Sequence, residues 1–433
     1  MPESKKENRF ITVARLFFLL LVIPLLLISS LIAFSIFHLG FLSKTDAVAY
    51  LDKSSQMEIS VRAVDLAQTI ADFLRERQKD ILIATILPPS RETYKEFVQT
   101  KTQALWVRKD DGIAREQIPL YIEMSLIDGR GQEIIKISHG KIVPQEELLD
   151  VSDPSNTTYK SEEYFLQAKR LSKGEVYFSP VTGWYLNKKE FKEGKRFEGI
   201  IRMATPLFDK QGFAGVVSIA LDVRHLAKFT DNIIPTEAAY VIEADASTGN
   251  YAYLVDHTGY VISHPNDYHI RGLYRDGSPV PALNAENHEE MVARGEEVLN
   301  IKELGFLDPV LPEVAHDASS GKSGIKTYTF EGHTKFLAFA PVPFNSQDFQ
   351  SPGGFGWVGL GVDVDKYNEL ARLSSEKIER ETQAWLSTII LIIIFAMVLL
   401  FGIAAILARG INRSLKAEVP PEAMRPHRYD DED

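Results

Sequence analysis

The chain has 433 residues, with 48 Lys and Arg against 59 Asp and Glu for a formal charge of −11, and it contains no cysteine. That length supports several domains with sizeable cores. The acidic balance argues against a general nucleic-acid binder, and the missing thiols exclude disulfides, thiolate metal sites and cysteine nucleophiles.

Residues 1–15 precede an apolar run from Leu16 to Phe37, and a second run covers Trp385 to Ala408. At about 1.5 Å per helical residue, each reaches roughly 30 Å, the thickness of a hydrocarbon core. Lys5, Lys6, Arg9 and Arg15 flank the first run, and Arg409, Arg413 and Lys416 follow the second. The positive-inside rule therefore predicts two membrane spans with both termini cytoplasmic and residues 44–384 outside a bacterial inner membrane. The first run exceeds a signal-peptide core and is read as an uncleaved anchor.

Residues 45–106 read as a long helix with a helical cap. Ile59, Ala63, Leu66, Ile70 and Phe73 step by four and three along one face. Such a seam serves either a partner helix in a homodimer or the chain's own domain. Pro88 and Pro89 end this helix, and Ser90 is the N-cap expected for a second one running towards Trp106.

Tyr121 to Ile127 and Glu133 to Ser138 alternate around Asp128-Gly129-Arg130-Gly131, a hairpin signal whose turn requires φ > 0. Further strands are expected at Gly174–Ser179, Gly199–Phe208 and Gly215–Asp222. The pattern then recurs. Tyr253 to Asp256 leads through Gly259 into Tyr260 to Ile262, while KFLAFAPV (335–342) and GWVGLGVD (356–363) mirror IRMATPL (201–207) and GVVSIALD (215–222). Two copies of one antiparallel module follow, over residues 107–235 and 236–365. A connecting helix, 366–384, runs without Gly or Pro into the second span.

The order of these phrases, with MSLIDGRGQEI (124–134), GEVYFSPV (174–181) and YLVDHTGYVISHPN (253–266), resembles the double Cache family. That family forms the extracytoplasmic sensor region of bacterial chemoreceptors and sensor histidine kinases. The resemblance spans about Thr45 to Arg380. It implies an α+β fold of two tandem PAS-like modules on a long N-terminal helix, with a small-molecule pocket in the membrane-distal module, 107–235. In the amino-acid-binding subgroup an Arg and a Trp-Tyr pair stand where this chain has Glu162 and Tyr164-Phe165. Tyr177 matches a pocket Tyr and Asp222 an Asp ending the last strand. An Arg that clamps carboxylate is therefore replaced by Glu162, which argues against an α-amino-acid ligand. Arg202, Lys169 and Arg170 would suit an organic acid, whereas Asp222, Glu162 and the tyrosines would suit an amine.

Each candidate has a plainer reading. Tyr164, Tyr177 and Trp184 are ligand-cage aromatics or core and rim packing. Arg202 faces the pocket or a structural ion pair, and Asp222 holds a ligand or caps the helix near Arg224. Gly321-Lys322-Ser323 lacks the earlier glycine of a phosphate loop, since His316 stands there. Asp256, His257, His264 and His269 have no metal-ligand spacing, and neither HExxH nor GxSxG occurs, so no metal, cofactor or catalytic site is expected.

The stretch from Arg409 to Asp433, with Pro420-Pro421 and the acidic Asp430 to Asp433, is too short for a kinase or methyl-accepting output. The expectation is a non-enzymatic sensor of a small polar ligand (organic acid, amine or amino acid) that signals to a separate partner protein. The alternative is an accessory scaffold that uses the same modules to bind protein.

Overall fold

The computed structural model describes residues 3–109, 112–237, 239–330 and 333–418. The proline pair and acidic end expected in the tail lie outside the described residues. The chain divides into two compact units, Lys53–Asn368 and a helical one composed of Met1–Asp52 with Glu369–Asp433. In the helical unit, Glu376–Leu407 is long and apolar enough to cross a membrane, and a shorter apolar stretch covers Ile23–Ser35.

Helix α1 (Glu3–Ala84) carries the predicted seam into the larger unit. There Ile59, Ala63, Leu66, Ile70 and Phe73 are all buried within the chain's own core. The seam is thus used within the chain's own domain, one of the two uses that its spacing allowed. Ser90 caps α2 (Arg91–Thr100) by accepting from Thr93 N at 3.1 Å. The helix stops six residues before the predicted Trp106, because alternating residues take over. Trp106 lies in β1 (Thr102–Lys109), which pairs with β2 (Gly112–Pro119) as a separate two-stranded ribbon.

The first sheet is built from β3 (Tyr121–Asp128), β4 (Glu133–Ser138), β5 (Lys141–Ile142), β6 (Tyr177–Phe178), β7 (Thr182–Gly183), β8 (Gly199–Asp209) and β9 (Gly212–Asp222). Its order is β5-β4-β3-β9-β8-β6, with β7 also on β8, and every pair is antiparallel. Of the strand expected at Gly174–Ser179, only the two residues of β6 pair. Short helices α3 (Tyr164–Ala168) and α4 (Lys188–Lys192) lie in the long β5–β8 excursion, and α5 (Arg224–Asp231) follows β9.

The second sheet contains β10 (Tyr251–Asp256), β11 (Val261–Ser263), β12 (Gly324–Phe330), β13 (His333–Val342) and β14 (Gly356–Asp363), in the order β11-β10-β14-β13-β12. Helices α6 (His288–Arg294) and α7 (Val310–Ser319) intervene, and α8 (Val364–Glu418) follows directly on β14. The four-strand order β4-β3-β9-β8 recurs as β11-β10-β14-β13. One core joins α1 to a face of each sheet, through Met203 and Ile219 of the first and Ala338 and Leu360 of the second.

The recurrence extends to single atoms. Asp128 Oδ1 accepts from the backbone N–H of Arg130, Gly131 and Gln132 at 2.8–2.9 Å, and Asp256 Oδ1 accepts from Thr258 and Tyr260 N–H at 2.9 and 3.1 Å. Positive φ in the first turn falls on Gly131 (+107°), two residues beyond the Asp-Gly pair. Opposite the two aspartates stand Gly215 and Gly356, where a Cβ would lie 2.1 Å from Ile127 O and 2.0 Å from Val255 O. Such an approach admits only glycine.

Helix α5 ties the sheets together, since the Thr230 hydroxyl bonds that of Ser263 in β11. Beside it, burial and then the charge of Asp267 push the Asp231 carboxyl up to about 8; burial pushes Asp267 up to about 6, with Phe197 N–H donating to it at 2.7 Å. Glu243 adds to both shifts and Arg196 opposes them.

Two outcomes follow. Gly215→Ala should cost about 1–3 kcal/mol by overpacking, read as a lower thermal midpoint of the full chain. Because both folded-state carboxyl values lie above the ordinary 3.8, their contribution is complete at low pH and is lost as pH rises through about 6 and 8. The midpoint should therefore fall from about pH 4 to about pH 8, and Asp231→Asn should flatten the part of that decline above about pH 6.

Candidate functional site

Alternation along β3 puts Glu123 on the face opposite Met124, and the same rule on β8 puts Arg202 opposite Met203. The methionines enter the core under α1, so the charged residues share the other face. Glu123 and Arg202 both pair in register with Ala220 of β9. The small alanine leaves room for the two long side chains to meet above it.

Arg202 Nη1 donates to Glu123 Oε2 at 2.8 Å, Nε to Glu162 Oε1 at 2.8 Å and Nη2 to Glu162 Oε2 at 3.2 Å. Its guanidinium also lies 4.7 Å from the centre of the Tyr164 ring. The arginine is only 2% exposed. Burial opposes its charge, but Glu162 and Glu123 outweigh that and hold its pKa well above the usual value. Burial likewise favours a neutral Glu123, yet Arg202 and then Lys136 hold its carboxyl at about 2. Of the two readings open for Arg202, the geometry supplies the ion pair.

The cluster anchors the loop before α3. Thr158 Oγ1 donates to Glu123 Oε1 at 2.9 Å, Tyr159 N to Glu162 Oε2 at 3.2 Å, and Glu162 N to Thr157 Oγ1 at 3.2 Å. This loop carries Glu162, Glu163 and Tyr164 into a cleft of about 250 Å³. Tyr177 of β6 completes the first-sheet wall, and Tyr260 and Arg271 of the second-sheet region form the opposite one. The walls are tied edge to edge, with Tyr185 N–H donating to Leu273 O and Leu273 N–H to Gly183 O, both at 2.9 Å.

Arg271 Nη1 donates to Asp256 Oδ2 at 2.8 Å, and its guanidinium lies 4.8 Å from the centre of the Tyr260 ring. Glu163 accepts from Gln167 Nε2 at 3.0 Å and remains exposed. Burial raises the pKa of both Tyr164 and Tyr177, so their hydroxyls stay protonated donors. Among the described residues neither hydroxyl has a hydrogen-bond partner.

The six sequence candidates thus divide. Glu162, Tyr164 and Tyr177 line the cleft, and Arg202 stands directly behind Glu162. Trp184 packs on Tyr159 with ring centres 5.2 Å apart, beneath the Arg275 guanidinium, and does not line the cleft, although it bridges to Leu273, which does. Asp222 is also off these walls; its carboxylate accepts from Arg224 N at 3.0 Å and from Arg224 Nη2 at 2.6 Å. Lys169 lies over Phe165 and Phe213.

Sequence reasoning missed Glu123, although a Glu inside the alternating YIEMSLID was a visible anomaly. It also missed Tyr260 and Arg271, which carry no local signal. Of the histidine-rich run, Asp256 organises its turn and His269 Nδ1 lies 3.0 Å from Glu297 O.

The family model for the Cache domain, in its double form, matches residues 43–392, and the chain belongs to that family. Cache domains resemble the extracellular ligand-binding sensor domains of chemoreceptors and are non-catalytic modules. No curated protein matches the chain. Among solved structures it is similar to a domain of a sensory box/GGDEF family protein of Vibrio parahaemolyticus, at 15% identity over 75% of this chain and 100% of that one, TM-score 0.42. A second is the ligand-binding domain of Campylobacter jejuni chemoreceptor Tlp3 in complex with 4-methylisoleucine (12%, 76% and 96%, TM-score 0.39). A third is the ligand-binding domain of Pseudomonas aeruginosa PAO1 chemoreceptor PctB in complex with L-Arg (16%, 70% and 93%, TM-score 0.37).

Removing the guanidinium strands two buried carboxylates, so Arg202→Leu should cost about 3–5 kcal/mol in chemical denaturation of the full chain. The depressed Glu123 value adds a sign. Its contribution is complete above the ordinary 4.5 and is lost as pH falls towards about 2. Acid unfolding of the native chain should steepen in that window, and the arginine variant should lose that part of the slope.

Proposed function

We propose that the chain is a membrane-anchored extracytoplasmic sensor that takes a small polar ligand into the cleft beside Glu162, Glu163, Tyr164 and Tyr177. The observation that carries this reading is the cleft itself. Two protonated tyrosines whose hydroxyls have no partner among the described residues line a cleft of about 250 Å³, in a chain of the Cache family. On this reading residues 107–235 form the membrane-distal module and 236–365 the proximal one, and the cleft draws walls from both.

The anchors are residues 16–37 and 385–408, with both termini cytoplasmic. The apolar stretches at Ile23–Ser35 and Glu376–Leu407 and the basic flanks support that arrangement. Ligand would bias two arrangements of the sheets by its differential affinity for them, and α8, which starts where β14 ends, would carry a displacement of about 1–2 Å to a separate signalling protein.

Protease shaving of intact spheroplasts should cut within residues 44–384 and spare epitope tags at both ends. Cleavage of either tag, or an untouched middle region, rejects the topology. For the cleft, full-length protein in lipid nanodiscs is screened by thermal shift against a library of small metabolites. At least one compound should raise the midpoint for the native chain and not for Tyr177→Ala. A library without a hit, or hits indifferent to that substitution, rejects the site.

A further inference from the structure

We propose that the ligand of this cleft is a small organic cation, an amine or quaternary ammonium carrying no carboxylate. The inference rests on the sensor reading above and adds the charge class. Glu162 and Glu163 bring two negative charges to the walls and Arg271 one positive charge. Each paired group is balanced or outnumbered by its own partners. Arg271 is answered by Asp256, and Arg202 behind the wall is answered by both Glu162 and Glu123. Counting these groups together, the site keeps a surplus of two negative charges.

That surplus is placed to be felt. The Arg202 cluster is almost wholly buried, where its excess charge is weakly screened. Among the described residues the Glu163 carboxylate has one hydrogen bond, from the neutral amide of Gln167, and no ion pair. The organic acid allowed by sequence would need a free cation. Arg202 is already engaged, since each of its three nitrogens donates to a carboxylate, and neither Lys169 nor Arg170 lines the cleft. Arg271 could meet a carboxylate only beside the like charge of Asp256.

Aromatic faces reinforce the sign. Both the Tyr164 and Tyr260 rings already hold a guanidinium at 4.7–4.8 Å, leaving Tyr177 as the cleft tyrosine without a cation on its ring among the described residues. An ammonium group between Glu163 and Tyr177 would gain a charge-assisted contact and a cation–π contact together.

The test uses isothermal titration of the full-length protein in nanodiscs of neutral lipid with four probes: putrescine, tetramethylammonium, 4-aminobutyrate and succinate. Putrescine or tetramethylammonium should bind, with affinity falling as salt rises, and Glu163→Gln should weaken binding about tenfold or more. That glutamate is exposed and its loss leaves the buried cluster intact. Binding of 4-aminobutyrate or succinate without the cations, lost in Arg271→Gln, overturns the charge class while leaving the cleft as a ligand site. Cation binding indifferent to both Glu163→Gln and Tyr177→Ala overturns the assignment to this cleft. Silence of both cations at millimolar concentration overturns the inference alone if the metabolite screen still yields a Tyr177-dependent hit, and the sensor reading with it if none appears.

Discussion

The salt cluster of Arg202 with Glu123 and Glu162 is the constraint from which the candidate site follows. It joins two strands that are not neighbours to the loop ahead of α3, across the single methyl of Ala220. Withdrawing three charged groups from water costs several kcal/mol per ion, and a well-packed apolar trio can be as stable. What the charges supply is placement. Glu162 is gripped by two arginine nitrogens and by Tyr159 N–H, so Glu163 and Tyr164 are delivered to the cleft from a fixed point. The same cluster sets the sign of the site, because two carboxylates meet one guanidinium.

The repeated sheets differ at the face where the first copy holds its Arg202 cluster. Gly215 pairs with Leu207 and Gly356 with Val342, so the residue matching Arg202 in the second sheet is Leu337. There the corresponding face is filled by Tyr251, Tyr253, Phe339 and Trp357, packed into an aromatic core of their own. One framework, pinned at equivalent Asp and Gly positions, therefore carries a carboxylate–guanidinium cluster in its first copy and a largely aromatic core, with Lys335 buried against Tyr251, in its second.

Much of the framework was legible because its determinants are local. Alternation placed β3, β4, β8 and β9, and the Asp and Gly residues that shape the turns stood within a few positions of each other. The first residues of β1 were read as helix because the run up to Trp106 begins with a capped turn, and nothing local announces the switch of period after Thr100. The partners of Arg202 were hidden for a different reason. Glu162 is 40 positions away and Glu123 79, and only the register over Ala220 brings them together. Tyr260 and Arg271 were further from view, since they reach the cleft through the packing of one sheet's edge against the other's. Asp222 illustrates the converse, since its partner Arg224 is two positions away, although Val223 and not Asp222 stands at the N-cap of α5.

A cleft shared by two sheets has a mechanical consequence that a pocket within one sheet lacks. On the proposed reading, Glu163 and Tyr177 hold the ligand from the first sheet while Tyr260 and Arg271 hold it from the second. Bound ligand then favours whichever arrangement of the two edges lets both walls touch it, and only that difference in affinity can do work on the fold. The edges are already joined by the Tyr185–Leu273 and Leu273–Gly183 hydrogen bonds and by α5, so the accessible change is a small shift and not a wide opening. The second sheet ends in β14, a strand whose eight residues are all buried, and the next residue begins α8. A shift of that sheet cannot be absorbed within a strand so tightly packed, and the chain offers it no loop before the helix.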